Sequence, residues 1–380
     1  MKHIALIGFG VVGGGVDALI SGRNDLSVRR ILLRSPRPGA GERAVYDFAE
    51  IENDPEIGIV AEAISGVHPA YEYACRALRA GKHYVTANKA LIAAYGTELS
   101  AIARENGVSL RCTAAVGGGI PWLFNLSRCR RVDRIDGIRG ILNGTTNFIL
   151  SAMHARRADF SEMLSEAQRL GYAESDPSAD IDGPDICRKL VISAAAAFDV
   201  LLREEDVPMF GIRTVSAADI ANAQAMGRVC KLMAFAGRVG DGYAAYVEPT
   251  LLSCVEPESS VPANFNFIGY DAAAIGRQGY FGQGAGRFPT ASNIVQDCLD
   301  LANAAPGFYS PDAAPVNVRN SGVTHPYYVR TDAPDAWLRE HTAAEKDGFV
   351  LTVPVSVEEM HLWGAKKRSE NSNTFLAGIQ

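Results

Sequence analysis

The first thirteen residues constrain the fold more than any other part of the sequence. Residues 4–7 form a short apolar strand that runs into GFGVVG at residues 8–13, a G-x-G-x-x-G pattern, and helix-forming residues follow. This order of strand, glycine turn and helix is the context that a dinucleotide-binding fold requires. Gly8 permits the tight turn, Gly10 lets the backbone approach a pyrophosphate, and Gly13 lets helix and strand pack closely. The residues predicted to contact the cofactor here are Gly8, Gly10, Val12 and Gly13.

The end of the second predicted strand bears on the choice of dinucleotide. Folds of this type that prefer NAD usually end this strand in Asp or Glu, because the carboxylate holds the ribose 2′-hydroxyl. After Val28 to Leu33 the chain instead reads Arg34-Ser-Pro-Arg37. A guanidinium and a hydroxyl suit a 2′-phosphate, so we predict that Arg34 favours NADP. NAD remains the alternative if Arg34 is only a solvated loop residue.

Two later strands lead to residues that suit the nicotinamide side of such a site. Residues 57–64 predict a parallel strand followed by Ser65, and the strand beginning at His83 leads to Asn88 and Lys89. Ligands of parallel sheets bind at the carboxyl ends of the strands, so we expect these side chains to face the nicotinamide. The alternative for Lys89 is a solvated loop lysine.

An acidic, turn-rich segment, Gly171 to Phe198, is predicted to carry substrate chemistry. A helix starts near Asp182 or Asp185 and is almost wholly apolar from Leu190 onward. Lys189 lies one helical turn after Asp185, so both side chains project from one face, where a carboxylate can tune the lysine's charge and position. The alternative is a solvated capping turn with one ion pair. The carboxylates of the segment are Glu174, Asp176, Asp180, Asp182 and Asp185.

A second polar patch, Asn143-Gly-Thr-Thr-Asn147, follows a strand predicted over residues 135–141. Its amides, hydroxyls and backbone N–H groups suit a small polar ligand, especially a carboxylate, although Thr and Asn also cap ordinary helices. Further along the chain we predict helices over 148–171, 216–235 and 290–304, short strands over 236–268, and a linker over 306–315.

Composition excludes several classes of protein. With 380 residues the chain exceeds what one core usually fills, so two or three domains are expected. A net charge of −6 gives no support for a nucleic acid or an anionic membrane as partner, and no apolar run approaches the roughly 20 residues of a membrane span. The seven cysteines are scattered without a C-x-x-C pair, and the first residues do not resemble a signal peptide. We therefore predict reduced thiols, no zinc site and a cytoplasmic location.

Six blocks of the sequence together resemble the homoserine dehydrogenase family, over roughly residues 1–310. In chain order they are GFGVVG, GKHYVTANKAL, AAVGGGIP, GILNGTTNFIL, GYAESDPSADIDGPDICRKL and GQGAGRFPTAS. Six blocks in one order are far more specific than any single block. The resemblance implies a homodimer that interconverts L-homoserine and L-aspartate 4-semialdehyde with NAD(P), in threonine and methionine biosynthesis.

The resemblance also assigns roles to individual residues. It implies that Lys89 and Lys189 are a catalytic pair from different domains, and that Glu174 and Asp185 bind the substrate. A lysine ammonium can stabilise the charge that hydride transfer leaves on oxygen and can donate the proton, and we expect Lys189 to be that donor. Asp185 would orient Lys189 and keep it protonated, and Glu174 would pair with the α-ammonium of the substrate. The remaining predicted contacts are Asn143 and Thr145 for the substrate, and Ser65, Lys89, Gly171 and Gly286 for the cofactor.

One departure from the family concerns a monovalent cation. Family members often have Glu where this chain has Thr113, and that Glu belongs to a cation site. The other ligands are largely backbone carbonyls, which here match Val116, Gly118 and Ile120. Because Thr113 carries no charge, we expect weak or absent dependence on Na⁺ or K⁺.

The predicted fold is α/β. Residues 1–130 form a Rossmann-type dinucleotide-binding domain that residues 289–320 complete, and residues 131–288 form a mixed α/β domain for substrate binding and dimerisation. Residues 326–380 are a short tail that begins like a regulatory ACT domain but is too short for one, so we predict a degenerate remnant without feedback control.

Two other functions stay open from the sequence. The chain could be a related dehydrogenase for another amino-acid semialdehyde or hydroxy acid, or a non-catalytic dinucleotide sensor. Two lysines with two carboxylates argue against the sensor, because a pure binding module does not need all four.

Overall fold

The computed structural model describes residues 1–305, 307, 310, 312–346, 348–370 and 373–380. The chain forms two units. The first comprises Met1–Arg134, Val191–Leu201 and Gly282–Ala314, and the second comprises Ile135–Leu190, Leu202–Phe281 and Pro315–Gln380. Part of the linker predicted over 306–315 lies outside the described residues.

Strands and helices of the described residues are numbered here in chain order. The strands are β1 (Lys2–Ile7), β2 (Leu26–Leu32), β3 (Ala44–Val45), β4 (Ile57–Glu62), β5 (His83–Thr86), β6 (Leu110–Arg111), β7 (Ile135–Ile141), β8 (Val200–Leu201), β9 (Arg228–Val239), β10 (Gly242–Ser253), β11 (Phe265–Ala272), β12 (Gly276–Gln283), β13 (Ala314–Pro315), β14 (Thr324–His325), β15 (Tyr327–Arg330), β16 (Thr342–Lys346), β17 (Phe349–Thr352), β18 (Val355–Ser356) and β19 (Phe375–Ile379). The helices are α1 (Val11–Ile20), α2 (Ala49–Glu52), α3 (Ala70–Arg79), α4 (Lys89–Glu105), α5 (Trp122–Cys129), α6 (Gly144–Arg156), α7 (Phe160–Arg169), α8 (Ser178–Ile181), α9 (Pro184–Phe198), α10 (Ala217–Ala225), α11 (Arg287–Ala302), α12 (Ala336–Glu340) and α13 (Val357–Ser369).

The first unit is built on a six-stranded parallel sheet with the order β3-β2-β1-β4-β5-β6. Its core contains apolar side chains of the central strands together with those of α1 and α11, including Leu6, Val16 and Ile294. Strands buried on both faces read as continuous apolar runs, which explains why β1 and β4 are recognisable from sequence. The strand order reverses between β1 and β4, and ligands of open α/β sheets bind outside the carboxyl ends at such a point. The predicted α/β dinucleotide-binding fold is confirmed.

The second unit is built on a nine-stranded mixed sheet with the order β12-β11-β7-β9-β10-β19-β15-β17-β16. The pairs β7–β9, β9–β10 and β15–β19 are antiparallel, and the pair β10–β19 is parallel. Residues 315–380 belong to this unit and supply β19, β15, β17 and β16 as four consecutive strands of its sheet. The tail is therefore part of the main sheet of this unit.

Two helix predictions in the second unit are wrong. The helix predicted over 148–171 is two helices, α6 and α7, because Arg157 adopts a left-handed backbone with φ of 54° and ends the first. The helix predicted over 216–235 ends at Ala225, since Gly227 turns the chain with φ of 69° into β9. Two long strands, β9 and β10, replace the short strands predicted over 236–268.

Among the described residues, no helix is both long enough and apolar enough to cross a membrane.

Candidate active site

The turn between β1 and α1 exposes backbone that a pyrophosphate could approach. Gly8 has φ of +89°, and a Cβ there would lie 2.6 Å from Cγ2 of Ile64. A Cβ at Gly13 would lie 2.2 Å from the Gly8 carbonyl oxygen, so turn and helix pack too closely for a side chain. A Cβ at Gly10 would meet nothing within 4 Å, and Gly10 is the N-cap of α1. Val12 packs against the core of the unit. The N-terminus of α1 therefore fits the anionic part of a dinucleotide.

The loops after β4 and β5 carry Ser65 and Lys89, and these neighbouring strands end at one edge of the sheet. Ser65 is exposed, and Lys89 is half-buried as the first residue of α4. Asn88 caps this helix, since its Oδ1 accepts a hydrogen bond from the backbone N–H of Leu91 at 3.1 Å. Its Nδ2 donates to the carbonyl oxygen of Gly66 at 2.6 Å. The Asn88 side chain thus ties the two loops together and orients the helical turn that carries Lys89.

A buried carboxylate that the sequence did not single out lies beneath these loops. Glu62 ends β4 and is fully buried, and its two oxygens accept hydrogen bonds from the Ile64 backbone N–H at 2.6 Å and the Thr86 hydroxyl at 2.5 Å. Thr86 Oγ1 in turn accepts from the backbone N–H of Asn88 at 2.8 Å. Burial raises the pKa of Glu62 to about 7, and the hydrogen bonds from Thr86 and Ile64 oppose that rise. Its sequence signal is an acid inside the apolar run IGIVAEAI.

Arg34 lies two residues beyond the end of β2, and its side chain is exposed. Because β2 pairs with β1, the carboxyl end of β2 lies beside the glycine turn. Gly286, also predicted at the cofactor, is the N-cap of α11 and has φ of 125°, a conformation that favours glycine. Both residues belong to the first unit.

Lys189 is buried in α9 between a carboxylate and a backbone carbonyl. Its Nζ lies 2.7 Å from Oδ2 of Asp185, one helical turn earlier, and donates to the carbonyl oxygen of Leu142 at 2.7 Å. The predicted pairing of Lys189 with Asp185 on one helix face is therefore present. Leu142 follows β7 directly, so the end of that strand fixes the lysine from the other side.

Asn143 connects this ion pair to a second carboxylate, Asp180. Nδ2 of Asn143 donates to Oδ1 of Asp180 at 2.7 Å and to Oδ2 of Asp185 at 2.9 Å, while Oδ1 accepts from the backbone N–H of Thr146. Burial raises the pKa of Asp180, the Asn143 hydrogen bond opposes this rise, and the charge of Asp185 adds to it. Both amide hydrogens of Asn143 are donated within the protein, so its side chain positions two carboxylates. Sequence reasoning assigned Asp180 no separate role, because its partner Asn143 lies 37 residues away in the chain.

The other residues predicted around the substrate have simpler surroundings. The hydroxyl of buried Thr145 donates to the carbonyl oxygen of Tyr172 at 2.6 Å. Glu174 is exposed, and its backbone carbonyl oxygen accepts from Nε2 of Gln168 at 3.0 Å. Gly171, at the end of α7, is exposed and has φ of 75°. Among the described contacts, the carboxylate of Glu174 does not join Asp180 and Asp185.

The residues that the family resemblance assigns to a monovalent cation do not fit one. Nδ2 of Asn293, which is buried in α11, donates to the carbonyl oxygens of Gly118 at 2.5 Å and Ile120 at 3.1 Å. Thr113 donates through its backbone N–H at 2.9 Å and its hydroxyl at 2.8 Å to the carboxylate of Asp297. An N–H donor therefore already uses two of the three carbonyl oxygens, those of Gly118 and Ile120, that would face an ion. Nor do the described residues contain a group of three or more His, Cys, Asp or Glu side chains that could hold a metal.

Comparisons with known proteins agree with this fold. The family described as homoserine dehydrogenase matches residues 121–299, and the family described as its NAD-binding domain matches residues 8–113. A homoserine dehydrogenase of Synechocystis sp. is 41% identical over 343 residues, which cover 86% of this chain and 78% of that protein.

Solved structures lead to the same family. A homoserine dehydrogenase from Thiobacillus denitrificans superposes with a TM-score of 0.88 at 31% identity, covering 100% of this chain and 98% of that one. A hyperthermophilic archaeal homoserine dehydrogenase in complex with NADPH superposes with a TM-score of 0.69 at 26% identity, covering 80% of this chain and 99% of that one. The chain therefore belongs to the homoserine dehydrogenase family of NAD(P)-dependent oxidoreductases.

Proposed function

We propose that Lys189 and Lys89 are the catalytic residues of this chain, which position the reacting oxygen of the substrate and transfer its proton. The reaction is that of its family, the reversible oxidation of L-homoserine to L-aspartate 4-semialdehyde. The bound dinucleotide supplies or accepts the hydride. The observation that carries the assignment is the buried Lys189 ammonium held between Asp185 and the Leu142 carbonyl.

In the direction of reduction, Lys189 donates the proton. As a C–H bond forms at the aldehyde carbon, the C=O π electrons move to oxygen, and an N–H bond of the ammonium breaks while an O–H bond forms. The two contacts of Lys189 fix its Nζ before the reaction, so little reorganisation accompanies the transfer. Lys89, at the start of α4, acts as a second cationic group that positions the oxygen.

The carboxylates around Asn143 suit the α-ammonium of the amino acid. When both are ionised, Asp180 and Asp185 carry two negative charges beside the single positive charge of Lys189. A second cation balances this cluster, and the substrate provides one. Glu174, exposed on the same segment, is proposed as a further partner of that ammonium.

We propose NADP as the preferred dinucleotide. Arg34 lies in the loop after β2, where a carboxylate would favour NAD, and its exposed guanidinium is available for a 2′-phosphate. The archaeal relative bound to NADPH supports this choice by analogy.

The first unit is proposed as the dinucleotide-binding domain and the second as the substrate-binding and dimerisation domain. Size-exclusion chromatography with light scattering tests the proposed homodimer, which a monomeric mass would contradict. A cytoplasmic location is proposed on the basis of the cysteines, since all seven are free thiols and only Cys254 is exposed.

Replacement of Lys189 by Ala tests the catalytic assignment. We expect kcat with L-homoserine to fall by roughly 10²–10⁴-fold, because the group that handles the proton is lost. Dinucleotide affinity, measured by fluorescence titration, is expected to change little.

Lys82→Ala is the matched control. Lys82 is also a buried lysine that donates to backbone carbonyl oxygens, those of Asp54 at 2.7 Å and Ile57 at 2.9 Å, but it lies at the amino end of β5. This variant should lose stability and keep its turnover. Near-full turnover by Lys189→Ala would contradict the mechanism and favour another substrate or a sensor.

A further inference from the structure

We propose that the side-chain amide of Asn293 replaces the monovalent cation at the loop formed by residues 116–120. The two carbonyl oxygens of this loop that Asn293 contacts, those of Gly118 and Ile120, converge on a single atom, its Nδ2. Convergent backbone carbonyls are the arrangement that oxygen-coordinated cations use. Here the atom at their focus is a nitrogen with two N–H donors, so the protein supplies the positive end of the interaction itself.

The loop could not relax away from this contact without disturbing its surroundings. Gly118 has φ of +54°, and a Cβ there would lie 2.5 Å from the backbone carbon of Gly284. The backbone N–H of Gly119 donates to the carbonyl oxygen of Gln283 at 3.1 Å. The loop therefore presents its carbonyls in a fixed direction, and without a donor or an ion they would face one another unpaired.

The charges beside Asn293 are also balanced by protein groups. Asp297, one helical turn further along α11, accepts from Nε of Arg111 at 3.1 Å and from both donors of Thr113. Nη2 of Arg111 lies 2.6 Å from Asp300. The guanidinium of Arg111 thus balances the charges of both carboxylates. The amide of Asn293 takes the place that an ion would have between the two carbonyl oxygens.

A small cavity of about 190 Å³ adjoins this cluster and would give an ion room if the amide were removed. Its lining includes Thr113, Asn293, Asp297 and Asp300. Shortening residue 293 to Ala would join the vacated space to this cavity and leave the two carbonyls without a partner. The chain would then acquire the cation requirement that Asn293 removes.

Two variants of residue 293 test the proposal through thermal stability, which does not depend on the catalytic assignment. Asn293→Asp is isosteric but turns a carboxylate oxygen toward the two carbonyls, and a bridging cation relieves that repulsion. Asn293→Ala leaves the carbonyls unpaired. Each variant and the unmodified protein are unfolded in NaCl, KCl and choline chloride at equal ionic strength.

We expect both variants to have a lower Tm than the unmodified protein in choline chloride, and to recover several degrees in NaCl or KCl. Binding of an ion to the folded state alone raises Tm with concentration, so the recovery should grow as the salt is titrated. The unmodified protein should have the same Tm in all three salts. In activity assays, only the variants should be stimulated by Na⁺ or K⁺.

Asn320→Asp is the matched control. Asn320 is a buried amide that pairs with the backbone of a single residue, accepting from the N–H of Ala245 and donating to its carbonyl oxygen, both at 2.9 Å. It should lose stability equally in the three salts, because only one carbonyl faces it. Equal loss in all salts by the residue 293 variants would overturn the proposal. So would variants that stay unfolded in every salt, or an unmodified protein that Na⁺ or K⁺ itself stabilises.

Discussion

Arg34 is the residue on which cofactor preference depends. Its guanidinium is exposed just beyond β2, so Arg34→Ala should cost little stability. A charge-assisted contact to a 2′-phosphate is worth about 1.5–3 kcal/mol, so the variant should lose roughly 10–100-fold in NADP⁺ affinity and little in NAD⁺ affinity. Titration of both dinucleotides measures this difference. Equal losses of affinity for NADP⁺ and NAD⁺ would show that Arg34 does not contact the 2′-phosphate. Arg37→Ala, in the same loop, is the control.

Asp180 is the residue through which substrate affinity can be tested apart from proton transfer. Asp180→Asn keeps the size of the side chain but removes one of the two carboxylates that share the Asn143 amide. We expect the KM for L-homoserine to rise by roughly 10–100-fold with a smaller change in kcat, because ground-state binding of the ammonium is lost. Asp182→Asn serves as the control, since Asp182 pairs with Arg213 at a partly exposed site. A change confined to kcat would place Asp180 in the chemical step instead.

At the scale of elements, sequence patterns predicted some strands and helices and missed others for identifiable reasons. The strand, turn and helix of residues 2–20 were predictable because a buried parallel strand and a glycine turn leave strong local signals. The apolar stretch in β9 was predicted as helix, because a short apolar run such as VCKLMAF at residues 229–235 fits either structure until its neighbours are known. The break at Arg157 left no glycine or proline to mark it.

Glu62, at the carboxyl edge of the first sheet, should make the free energy of unfolding depend measurably on pH. The pKa of Glu62 rises from an ordinary 4.5 to about 7 in the folded chain, so folding takes up a proton between these values. Stability from this group is complete below pH 4.5 and is lost as pH rises through about 7, by about 3 kcal/mol at most. Glu62→Gln resembles the protonated form of the carboxyl group. The difference between its Tm and that of the unmodified protein should therefore increase in favour of the variant from pH 5 to pH 8.

Glu98→Gln is the control for this titration. Glu98 also accepts a hydrogen bond from a hydroxyl, that of Tyr71 at 2.6 Å, but it is exposed. The variant Glu98→Gln therefore provides the reference for replacing a hydrogen-bonded carboxylate outside the core, and its Tm is measured over the same pH range. A Tm difference for Glu62→Gln that stays constant would mean that Glu62 titrates near its ordinary pKa.

Across the whole molecule, contacts between residues close in sequence were easier to predict than contacts between residues far apart in the chain. Lys189 and Asp185 were predictable because one helical turn separates them, whereas Asp180, Glu62 and Asn293 depend on partners distant in sequence. The same holds for residues 326–380, whose similarity to a regulatory module suggested a separate tail. In the structure their strands lie within the main sheet of the second unit, which no local pattern could indicate.

This placement predicts that residues 326–380 cannot be removed. Glu248 on β10 is fully buried and accepts hydrogen bonds from Nε2 of His325 at 2.8 Å, Nε2 of His361 at 2.9 Å and the Tyr327 hydroxyl at 3.1 Å. Burial alone would raise the pKa of Glu248, but the interactions with His325 and His361 lower it to about 2. Deleting residues 326–380 would leave this carboxylate buried with one of its three partners and expose an edge of β10.

We therefore expect the shortened chain to be unfolded or aggregated, as judged by circular dichroism and size-exclusion chromatography. The variant His361→Gln in the full chain measures the contribution of one of these contacts. It keeps one donor for Glu248 but removes the imidazole ring, and should lower stability by about 1–3 kcal/mol in urea unfolding at pH 7. His341→Gln is the control, since the ring of His341 contacts a backbone carbonyl in place of a buried carboxylate. A shortened chain that folds and turns over L-homoserine at the full rate would show that these strands form a dispensable module.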